Sequence, residues 1–450
     1  MLLPYIPITL LLSTLVSAVD LDLTDNDSIC AAAKAIMDGE LNYYEGTKYG
    51  GAVGMFSSPY YWWEAGEAFG GILNYYVNCD SSNTTLKELI YNAMYHQSGD
   101  DHDYMPSNQT FTEGNDDQGV WGLTSMLAVE LNFTDPTEAS WLSMTQAIYN
   151  EMLSRWDTTY CAGGMRWQIF TWNSGYTYKN TIANGCLFNI AARLGRYLDN
   201  DTYIETAEKV WDWMEDIGFI SESDGELVIY DGADISTNCT SLTTTKWSYT
   251  YGIMIQGCAF LYNQTGDSTW ETRAQQIWTA GAYFFNDTIM YETACQTNYK
   301  CNTDQRSFRS LFARSLASAA LFVPSISSEI ETNVKASAAG AAQSCSGGSD
   351  GVTCGINWSY NGWDGWYGLG EQMSALEIIL ALFAFDGEMA LPYTATNGGS
   401  STSNTEAGTD STTTTNSNLI TIGTKDKAGA GILTAVVLIA IVGGSIWMVL

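Results

Sequence analysis

The stretch SYTYGIMIQGCAFLY (residues 248–262) is apolar on nearly every side and contains several small residues. A second stretch, NGCLFNIAARL (residues 184–194), has the same character. A helix that is apolar all round is one that packs against neighbours on more than one side. Both stretches therefore predict helices of an inner layer that is covered by other helices.

Apolar residues at positions i, i+3 and i+4 predict about twelve helices in the central part of the chain. Connections of roughly two to six residues follow every second helix, whereas the other connections run to about twenty or thirty residues. This alternation predicts six helical hairpins in a closed ring, with all the long loops on one face. We therefore predict an all-α fold, an (α/α)6 barrel. The helices are expected near residues 28–45, 64–77, 84–97, 117–131, 136–154, 181–197, 200–217, 248–264, 267–285, 306–322, 327–341 and 371–385.

Six segments lie at the predicted N-termini of the inner helices, on the long-loop face. Each supplies aromatic, carboxylate, amide or guanidinium groups to one common mouth, which is the chemistry expected of a sugar-binding cleft. The segments are YYWWEAGEAFGG (60–71), NDDQGVWG (115–122), YKNTIANG (178–185), KWSYTYG (246–252), RSFRSLFAR (306–314) and GWDGWYGLGEQ (362–372).

Asp116 and Asp117 are adjacent carboxylates at the start of one predicted inner helix. A helix N-terminus favours negative charge, and two neighbouring carboxylates separate their proton affinities, so that one is ionised while the other holds a proton. Glycoside hydrolysis needs this division of roles. The alternative interpretation is structural, with Asp116 as the N-cap and Asp117 as a first-turn partner of the helix dipole.

The segment DYMPSNQTFTEGNDDQGVWGL (103–123) resembles the family 76 glycoside hydrolases, and in particular a fungal, surface-anchored branch of mannan endo-1,6-α-mannosidases associated with cell-wall assembly. The segments WWEAGEAFG, GGMRWQIF (163–170), WSYTYG and GLGEQMSALE (368–377) carry the same resemblance, which extends over residues 20–390. It implies an (α/α)6 barrel, α-1,6-mannose substrates and retention of anomeric configuration. It also implies that Asp116 is the nucleophile and Asp117 the acid/base. The short separation of neighbouring helical side chains independently favours retention.

Ten further side chains are candidates for substrate binding. We predict that Glu64 either faces substrate or forms a buried ion pair with Arg309. His102 is expected either to help bind substrate or tune Asp117, or to be a plain surface histidine. The candidates are Trp63, Glu64, His102, Gln118, Trp167, Asn180, Asn184, Tyr249, Arg309 and Trp363. The chain has two histidines and no closely spaced His/Cys ligand set, so we expect no metal and no cofactor.

Composition narrows the possible partners. Eighteen basic and fifty acidic residues give a formal charge of -32, which repels phosphate backbones and excludes nucleic acid as a partner. A polysaccharide lyase, which would need a basic cleft for uronates, is disfavoured for the same reason. Sixteen Trp and twenty-seven Tyr suit a protein that stacks on sugar rings, although many of these rings are expected in the core.

The cysteines and glycosylation sequons predict an extracellular protein. Ten cysteines are expected to form disulfides, and Cys295 with Cys301 and Cys345 with Cys354 are close enough in sequence to close single loops. N-glycosylation is expected at Asn26, Asn83, Asn108, Asn132, Asn200, Asn238, Asn263, Asn286 and Asn357, each in an N-x-Ser/Thr sequon.

Both ends of the chain have the pattern of processing signals. Residues 1–18 read as a signal peptide, 19–393 as the catalytic domain, 394–418 as a Ser/Thr-rich stalk and 419–450 as a lipid-anchor signal that is removed. Asn416 is the expected attachment residue of a glycosylphosphatidylinositol (GPI) anchor, and a true membrane span is the alternative. The expected location is the outer face of the plasma membrane and the cell wall.

We therefore hypothesise a monomeric retaining glycosidase or transglycosylase that acts on α-1,6-linked mannose. Its expected partners are α-mannoside glycans, the GPI-anchor glycans of surface proteins and cell-wall polysaccharide, to which it would transfer those glycans. The alternatives are a hydrolytic endo-1,6-α-mannanase and a non-catalytic mannan-binding barrel.

Overall fold

The computed structural model describes residues 18–109, 111–387, 389, 391–410, 431, 434–438 and 441. Within these residues, twelve helices of at least twelve residues alternate with loops, and one helical turn, α10, interrupts a long loop. The helices are α1 (Asn26–Leu41), α2 (Trp62–Cys79), α3 (Thr84–Gln97), α4 (Asn115–Glu130), α5 (Trp141–Ser154), α6 (Thr181–Leu198), α7 (Asp201–Asp216), α8 (Ser248–Thr265), α9 (Ser268–Gly281), α10 (Thr293–Gln296), α11 (Phe308–Phe322), α12 (Pro324–Ser344) and α13 (Leu369–Leu380).

Six inner helices form a closed ring. Helix α2 packs on α4, α4 on α6, α6 on α8, α8 on α11, α11 on α13, and α13 returns to α2. The remaining long helices, α1, α3, α5, α7, α9 and α12, cover this ring from outside. Helices α6 and α8, the two apolar stretches of the sequence, are buried along most of their length. The predicted (α/α)6 barrel is confirmed.

Several predicted helix boundaries were wrong by a few residues. Helix α5 begins at Trp141 rather than at 136, because the hydroxyl of Ser140 accepts a hydrogen bond from the backbone N–H of Ser143 and caps the helix there. The regions expected to continue α9 and α13 tighten into 3-10 turns at Ala282–Phe284 and Ala381–Ala384. Boundaries of this kind depend on local caps, which periodicity does not register.

Short strands that periodicity did not predict lie within the long loops. Strands β1 (Tyr178–Asn180), β4 (Gly232–Asp234) and β5 (Leu242–Thr243) form an antiparallel sheet in the order β1-β4-β5. The other strands form two hairpins, β2 (Ile220–Ser223) with β3 (Glu226–Ile229), and β6 (Phe285–Asn286) with β7 (Ile289–Met290). Because β1 runs directly into α6, the three-stranded sheet fixes the loop backbone at the mouth of the barrel.

Four disulfides join Cys30 to Cys79, Cys161 to Cys239, Cys295 to Cys301 and Cys345 to Cys354. The two short-range pairings expected from the sequence are confirmed. The expectation that all ten cysteines are paired was wrong, because Cys186 and Cys258 are free and buried. These two lie on the inner helices α6 and α8, where a thiol serves as a small apolar side chain.

The segment after the barrel is held against it. Residues 394–409 make hydrogen bonds to α5 and to the loop before it, so packing continues beyond residue 393, where the stalk was expected to begin. Residues 411–430, which include Asn416, lie outside the described residues, as do residues 1–17 and most of the expected anchor signal. In the part of the chain that the structure describes, no helix combines the length and hydropathy needed to cross a bilayer.

Candidate active site

A cleft of about 490 Å³ opens on the long-loop face of the barrel. Its floor is formed by the first turns of inner helices, and its walls by the loops that precede them. The lining residues are Tyr61, Trp63, Thr112, Asp116, Asp117, Val120, Trp167, Gln168, Tyr178, Asn180, Ile182, Asp231, Trp247, Tyr249, Asn302, Asp304, Gln305 and Phe308. Aromatic rings beside carboxylates and amides are the groups that bind sugars, as the sequence predicts.

Asp116 and Asp117 both line the cleft from the first turn of α4. Gly114 is the N-cap, and its backbone N–H donates to Oδ2 of Asp117 at 2.7 Å. Asp116 accepts a hydrogen bond from the indole Nε1 of Trp167 at 2.8 Å through Oδ2. The structural interpretation, in which Asp116 is the N-cap, is therefore wrong. Asp117 accepts the hydrogen bond from the N-cap residue and also lines the cleft.

The pair has an unusually high affinity for protons. Burial raises the pKa of Asp116 well above its ordinary value, the nearby charge of Asp117 adds to this, and the Trp167 hydrogen bond opposes it. Burial raises the pKa of Asp117 to about 7, opposed by the Gly114 N–H. The two carboxyl groups can therefore share a proton near neutral pH, which provides one donor and one anionic nucleophile.

A buried polar layer lies directly behind the pair. The amide Nε2 of Gln118 donates to the carboxylate of Glu151 at 2.7 Å and to the carbonyl of Asp103 at 2.9 Å, and Arg155 donates to Gln118 Oε1. Glu113 is buried, its carboxylate oxygens find no hydrogen-bond partner among the described residues, and its pKa is raised by burial and by Asp117. Gln118, expected to bind sugar, instead belongs to this layer because its side chain points into the barrel wall.

Aromatic rings that line the cleft are held by a carboxylate and by one another. The indole Nε1 of Trp63 donates to Asp304 at 3.0 Å. Tyr249 stacks on Phe308 with ring centroids 3.9 Å apart, and Phe308 in turn lies 6.2 Å from the Trp63 ring. These contacts fix the orientation of the rings before a sugar arrives, and Trp63 and Tyr249 line the cleft as predicted.

Trp167 and Asn180 also line the cleft as predicted. Trp167 is 37% exposed, and its ring stands beside the carboxylate that it hydrogen-bonds. Asn180 is the N-cap of α6, and its Oδ1 accepts the backbone N–H of Ala183. Both positions follow from the rule that long loops deliver side chains to the N-termini of inner helices.

Two cleft carboxylates were not among the predicted site residues. Asp231 accepts hydrogen bonds from the Tyr178 hydroxyl at 2.5 Å and from Trp247 Nε1 at 3.0 Å. Burial raises the pKa of Asp304 to about 6, opposed by Trp63. Among the described residues that line the cleft, four are aspartates and none is lysine or arginine. Asp231 and Asp304 both lie in long loops that precede inner helices, and this position was the sequence signal that could have identified them.

Glu64 and His102 do not line the cleft. Glu64 is buried, and its Oε2 accepts the backbone N–H of Tyr61 at 2.7 Å, which makes it a helix cap. His102 stacks on Tyr95 with ring centroids 5.4 Å apart, and its Nε2 lies 3.6 Å from Glu138 on the outside of the barrel. Both expectations of substrate contact are therefore corrected, and His102 takes the surface position.

Asn184, Arg309 and Trp363 also point away from the cleft. Asn184 is buried and hydrogen-bonds the backbone N–H and carbonyl of Met165, so it fixes the loop that carries Trp167. Arg309 places its guanidinium 4.0 Å from the ring centre of Trp358, not against Glu64. Trp363 donates to the carbonyl of Trp366 within its own loop. None of the three lines the cleft, and the expectation that they bind substrate is corrected.

Comparison with known proteins agrees with this geometry. The family model for glycosyl hydrolase family 76 matches residues 28–396. The chain is 57% identical to the mannan endo-1,6-alpha-mannosidase DFG5 of Candida albicans over 99% of this chain and 98% of that protein. It is 53% identical to the DFG5 protein of Saccharomyces cerevisiae over 96% of this chain and 94% of that protein. The crystal structure of Dfg5 from Chaetomium thermophilum in complex with glucosamine superposes with a TM-score of 0.81 and 33% identity, covering 86% of this chain and 97% of that one. The chain belongs to glycosyl hydrolase family 76 and is a glycosidase.

Proposed function

We propose that this protein is a retaining glycosidase that acts on α-1,6-linked mannose and transfers the GPI-anchor glycans of surface proteins to cell-wall glycan. The observation that carries the proposal is the adjacent pair Asp116 and Asp117 at the floor of an aromatic cleft. The activity in the names of the fungal relatives, which are identical to this chain at about half of all positions, supports the choice of mannan.

In the first step, the carboxylate of Asp116 attacks the anomeric carbon of the bound mannose. The bond from that carbon to the leaving oxygen breaks, and the proton of Asp117 passes to this oxygen, which leaves as a hydroxyl. A pKa of about 7 suits Asp117 to this role, because it holds its proton near neutral pH and still releases it readily. The Trp167 N–H stabilises the anionic form of Asp116 beforehand.

In the second step, a hydroxyl group attacks the anomeric carbon of the glycosyl-enzyme. Asp117, now ionised, accepts the proton of that hydroxyl, and the bond to Asp116 breaks. Water gives hydrolysis, and a sugar hydroxyl gives transfer. Rings such as Tyr249 and Phe308 favour transfer, because a sugar stacked on them occupies the space from which water would attack.

The charge of the cleft supports a GPI glycan as donor. Four aspartates without a lining lysine or arginine attract a cation, and the glucosamine of a GPI anchor carries a free ammonium group. The crystallised relative that binds glucosamine is consistent with this donor. We expect Asp304→Asn to weaken the preference for a donor with a free amine over its N-acetylated analogue, as measured by competition. Asp201→Asn, at an exposed aspartate of the outer helix α7, is the control, because it removes the same charge away from the cleft.

The test of transfer uses purified protein with an α-mannosyl donor that resembles the anchor glycan and an excess of oligosaccharide acceptor. We expect an elongated product whose yield rises with acceptor concentration. Free reducing sugar as the sole product at every acceptor concentration would leave a hydrolytic endo-1,6-α-mannanase. If Asp116→Asn and Asp117→Asn both keep full biological activity and sugar binding, the protein is a mannan-binding barrel.

The proposed place of action is the outer face of the plasma membrane, with a GPI anchor at Asn416. The Ser/Thr-rich tail and the apolar C-terminal segment support this proposal. Phosphatidylinositol-specific phospholipase is expected to release the protein from membranes. Detection of Trp447 in the membrane-bound protein by mass spectrometry would instead establish a true span.

A further inference from the structure

The polar segment that follows the barrel is bound along the outside of helix α5. This segment, residues 393–409, is called the C-terminal strap. It begins at the base of the barrel, where the backbone N–H of Tyr393 donates to the carbonyl of Glu130, the last residue of α4. The Ser400 N–H and hydroxyl then donate to Asn132 in the loop that follows. The strap is thus fixed first at the end of the barrel opposite the cleft.

From this base the strap climbs α5 towards the cleft. The backbone N–H of Leu142 donates to the Ser401 hydroxyl, and Gln146 accepts the Asn404 N–H at 2.6 Å, about one helical turn higher. Asn150, a further turn along, donates through Nδ2 to the carbonyls of Thr405 and Ala407 at 2.9 and 2.8 Å. The strap therefore follows α5 turn by turn, with its direction set by that helix.

The highest contacts of the strap, at Asn150, lie near the level of the cleft floor, and Gly408 then lies against Ala147, about one turn back along α5. Next to Asn150 on α5, Glu151 hydrogen-bonds Gln118, the residue directly after the aspartate pair on α4. Glu130 and Gln118 are twelve residues apart on α4, so the strap rises by roughly 18 Å at 1.5 Å per residue. The described strap thus ends part of the way up the barrel wall, nearer the cleft than the base is.

We propose that the C-terminal strap orients the enzyme on its membrane by bringing the point of lipid attachment up the barrel wall beside the cleft. This inference rests on the proposed GPI anchor. In this orientation, the bilayer that carries the anchor lies next to this side of the protein. The cleft then faces glycans that are attached to the same bilayer.

Binding of the strap to α5 changes both the length of chain between the barrel and the proposed anchor and the point on the barrel from which that chain starts. A free stalk from Thr394 to Asn416 would span roughly 25 Å as a flexible coil and would start at the base of the barrel. With the strap bound, six residues separate Asp410 from Asn416, a length that would span about 13 Å as a flexible coil, and the starting point lies higher on the barrel wall. A shorter tether that starts nearer the rim raises the local concentration of membrane-attached donors at the cleft.

Two substitutions release the upper part of the strap without touching the cleft. Asn150→Ala removes two hydrogen bonds to strap carbonyls. Gly408→Val places a side chain where a Cβ would lie 2.7 Å from the carbonyl oxygen of Ala147, at a φ of +74° that a β-branched residue rarely adopts. Glu406→Gln, at an exposed strap side chain, is the matched control.

The test measures orientation directly, with the full-length anchored protein in lipid vesicles that carry an acceptor dye. One donor dye is attached through Phe111→Cys, an exposed position next to the cleft residue Thr112. A second protein carries the dye through Ser268→Cys, at the exposed first residue of α9 on the base side of the barrel. The native free thiols Cys186 and Cys258 are buried and stay unlabelled.

We expect stronger energy transfer to the membrane from position 111 than from position 268. The double variant Asn150→Ala/Gly408→Val should lower the transfer from position 111 towards that from 268, and Glu406→Gln should not. The double variant should also lose activity on a vesicle-borne donor while it keeps activity on a soluble one. Equal transfer from both positions, or no change in the double variant, would overturn the role of the strap.

These outcomes are separate from those of the transfer assay. If the protein does not stay on the vesicles, the lipid attachment is wrong, and the strap proposal falls with it. If the vesicles retain the protein and the orientation is as expected but no elongated product forms, transfer is wrong and the strap proposal stands. A double variant that fails to fold would lose activity on the soluble donor too, and Asn150→Ala alone then replaces it.

Discussion

Asp117→Asn is expected to lower kcat strongly and to make the folded protein more stable at neutral pH. Asparagine retains an Oδ1 that can accept the Gly114 N–H, so the helix cap survives. It has no proton to donate to a leaving group. Since general acid catalysis contributes about 10²- to 10⁴-fold, kcat on α-1,6-mannosides should fall by roughly that factor.

The stability effect follows from the raised pKa of Asp117. Its folded pKa is about 7 against an ordinary aspartate value of 3.8, so the folded state binds the proton more tightly than the unfolded chain does. Wild-type stability is therefore lowered progressively as the pH rises from about 4 to about 7, where the folded carboxyl must ionise. At about 1.4 kcal/mol per pKa unit, and discounted for sharing of the proton with Asp116, the penalty at pH 7 is on the order of 1–4 kcal/mol. The Asp117→Asn substitution removes this penalty, because the asparagine side chain does not ionise.

The assay is chemical or thermal unfolding of wild type and variant at a series of pH values. The variant should be more stable at pH 7 and equal to wild type below pH 4, where both states of the wild type are protonated. Asp201→Asn, at an exposed first-turn aspartate of α7, is the control and should show no such pH-dependent gain. A variant that is less stable than wild type at pH 7, or a gain that is largest at acid pH, would refute the reasoning.

Two further substitutions test the hydrogen bond to the proposed nucleophile, Asp116, and the buried ion pairs. Trp167→Phe removes the N–H that favours ionised Asp116. The acid limb of the pH–activity profile should therefore move to higher pH, and kcat should fall about tenfold or more. Trp172→Phe is the control and should not shift that limb, because the indole of Trp172 donates to a backbone carbonyl and not to Asp116. Arg314→Met leaves Glu67 and Glu377 without their buried cation. The free energy of unfolding, measured by denaturant titration, should fall by on the order of 3–5 kcal/mol. An unchanged free energy of unfolding would contradict the ion-pair assignment.

The architecture could be predicted because it is encoded in features that recur along the chain. An inner helix must be apolar all round, as residues 184–194 and 248–262 are, and each hairpin must alternate a short and a long link. The (α/α)6 ring needs no further information. The three-stranded sheet at the mouth was missed because each strand has at most three residues, and because β1 pairs with β4 from a different loop.

The cleft could be predicted only in part, because side-chain direction within a helical turn depends on the backbone around it. Gln118 follows the aspartate pair directly, yet its side chain points into the wall towards Glu151. Asp304 precedes α11 by a few residues and was overlooked because it lies in a loop without periodicity, far in sequence from Trp63, which it contacts. Such contacts are set by the ring closure and not by any local pattern.

Neighbouring inner helices use the same local device for different purposes. In α2 the carboxylate of Glu64 accepts a hydrogen bond from the N–H of the N-cap residue Tyr61 at 2.7 Å. In α4 the carboxylate of Asp117 accepts one from the N–H of the N-cap residue Gly114, also at 2.7 Å. Both carboxylates belong to the third residue of their helix. Glu64 is fully buried, so its carboxyl can only cap. Asp117 is partly exposed to the cleft and lies beside Asp116, so its proton can reach a substrate. The capping motif fixes the position of a carboxyl group, and the contact with the cleft turns that group into a candidate acid.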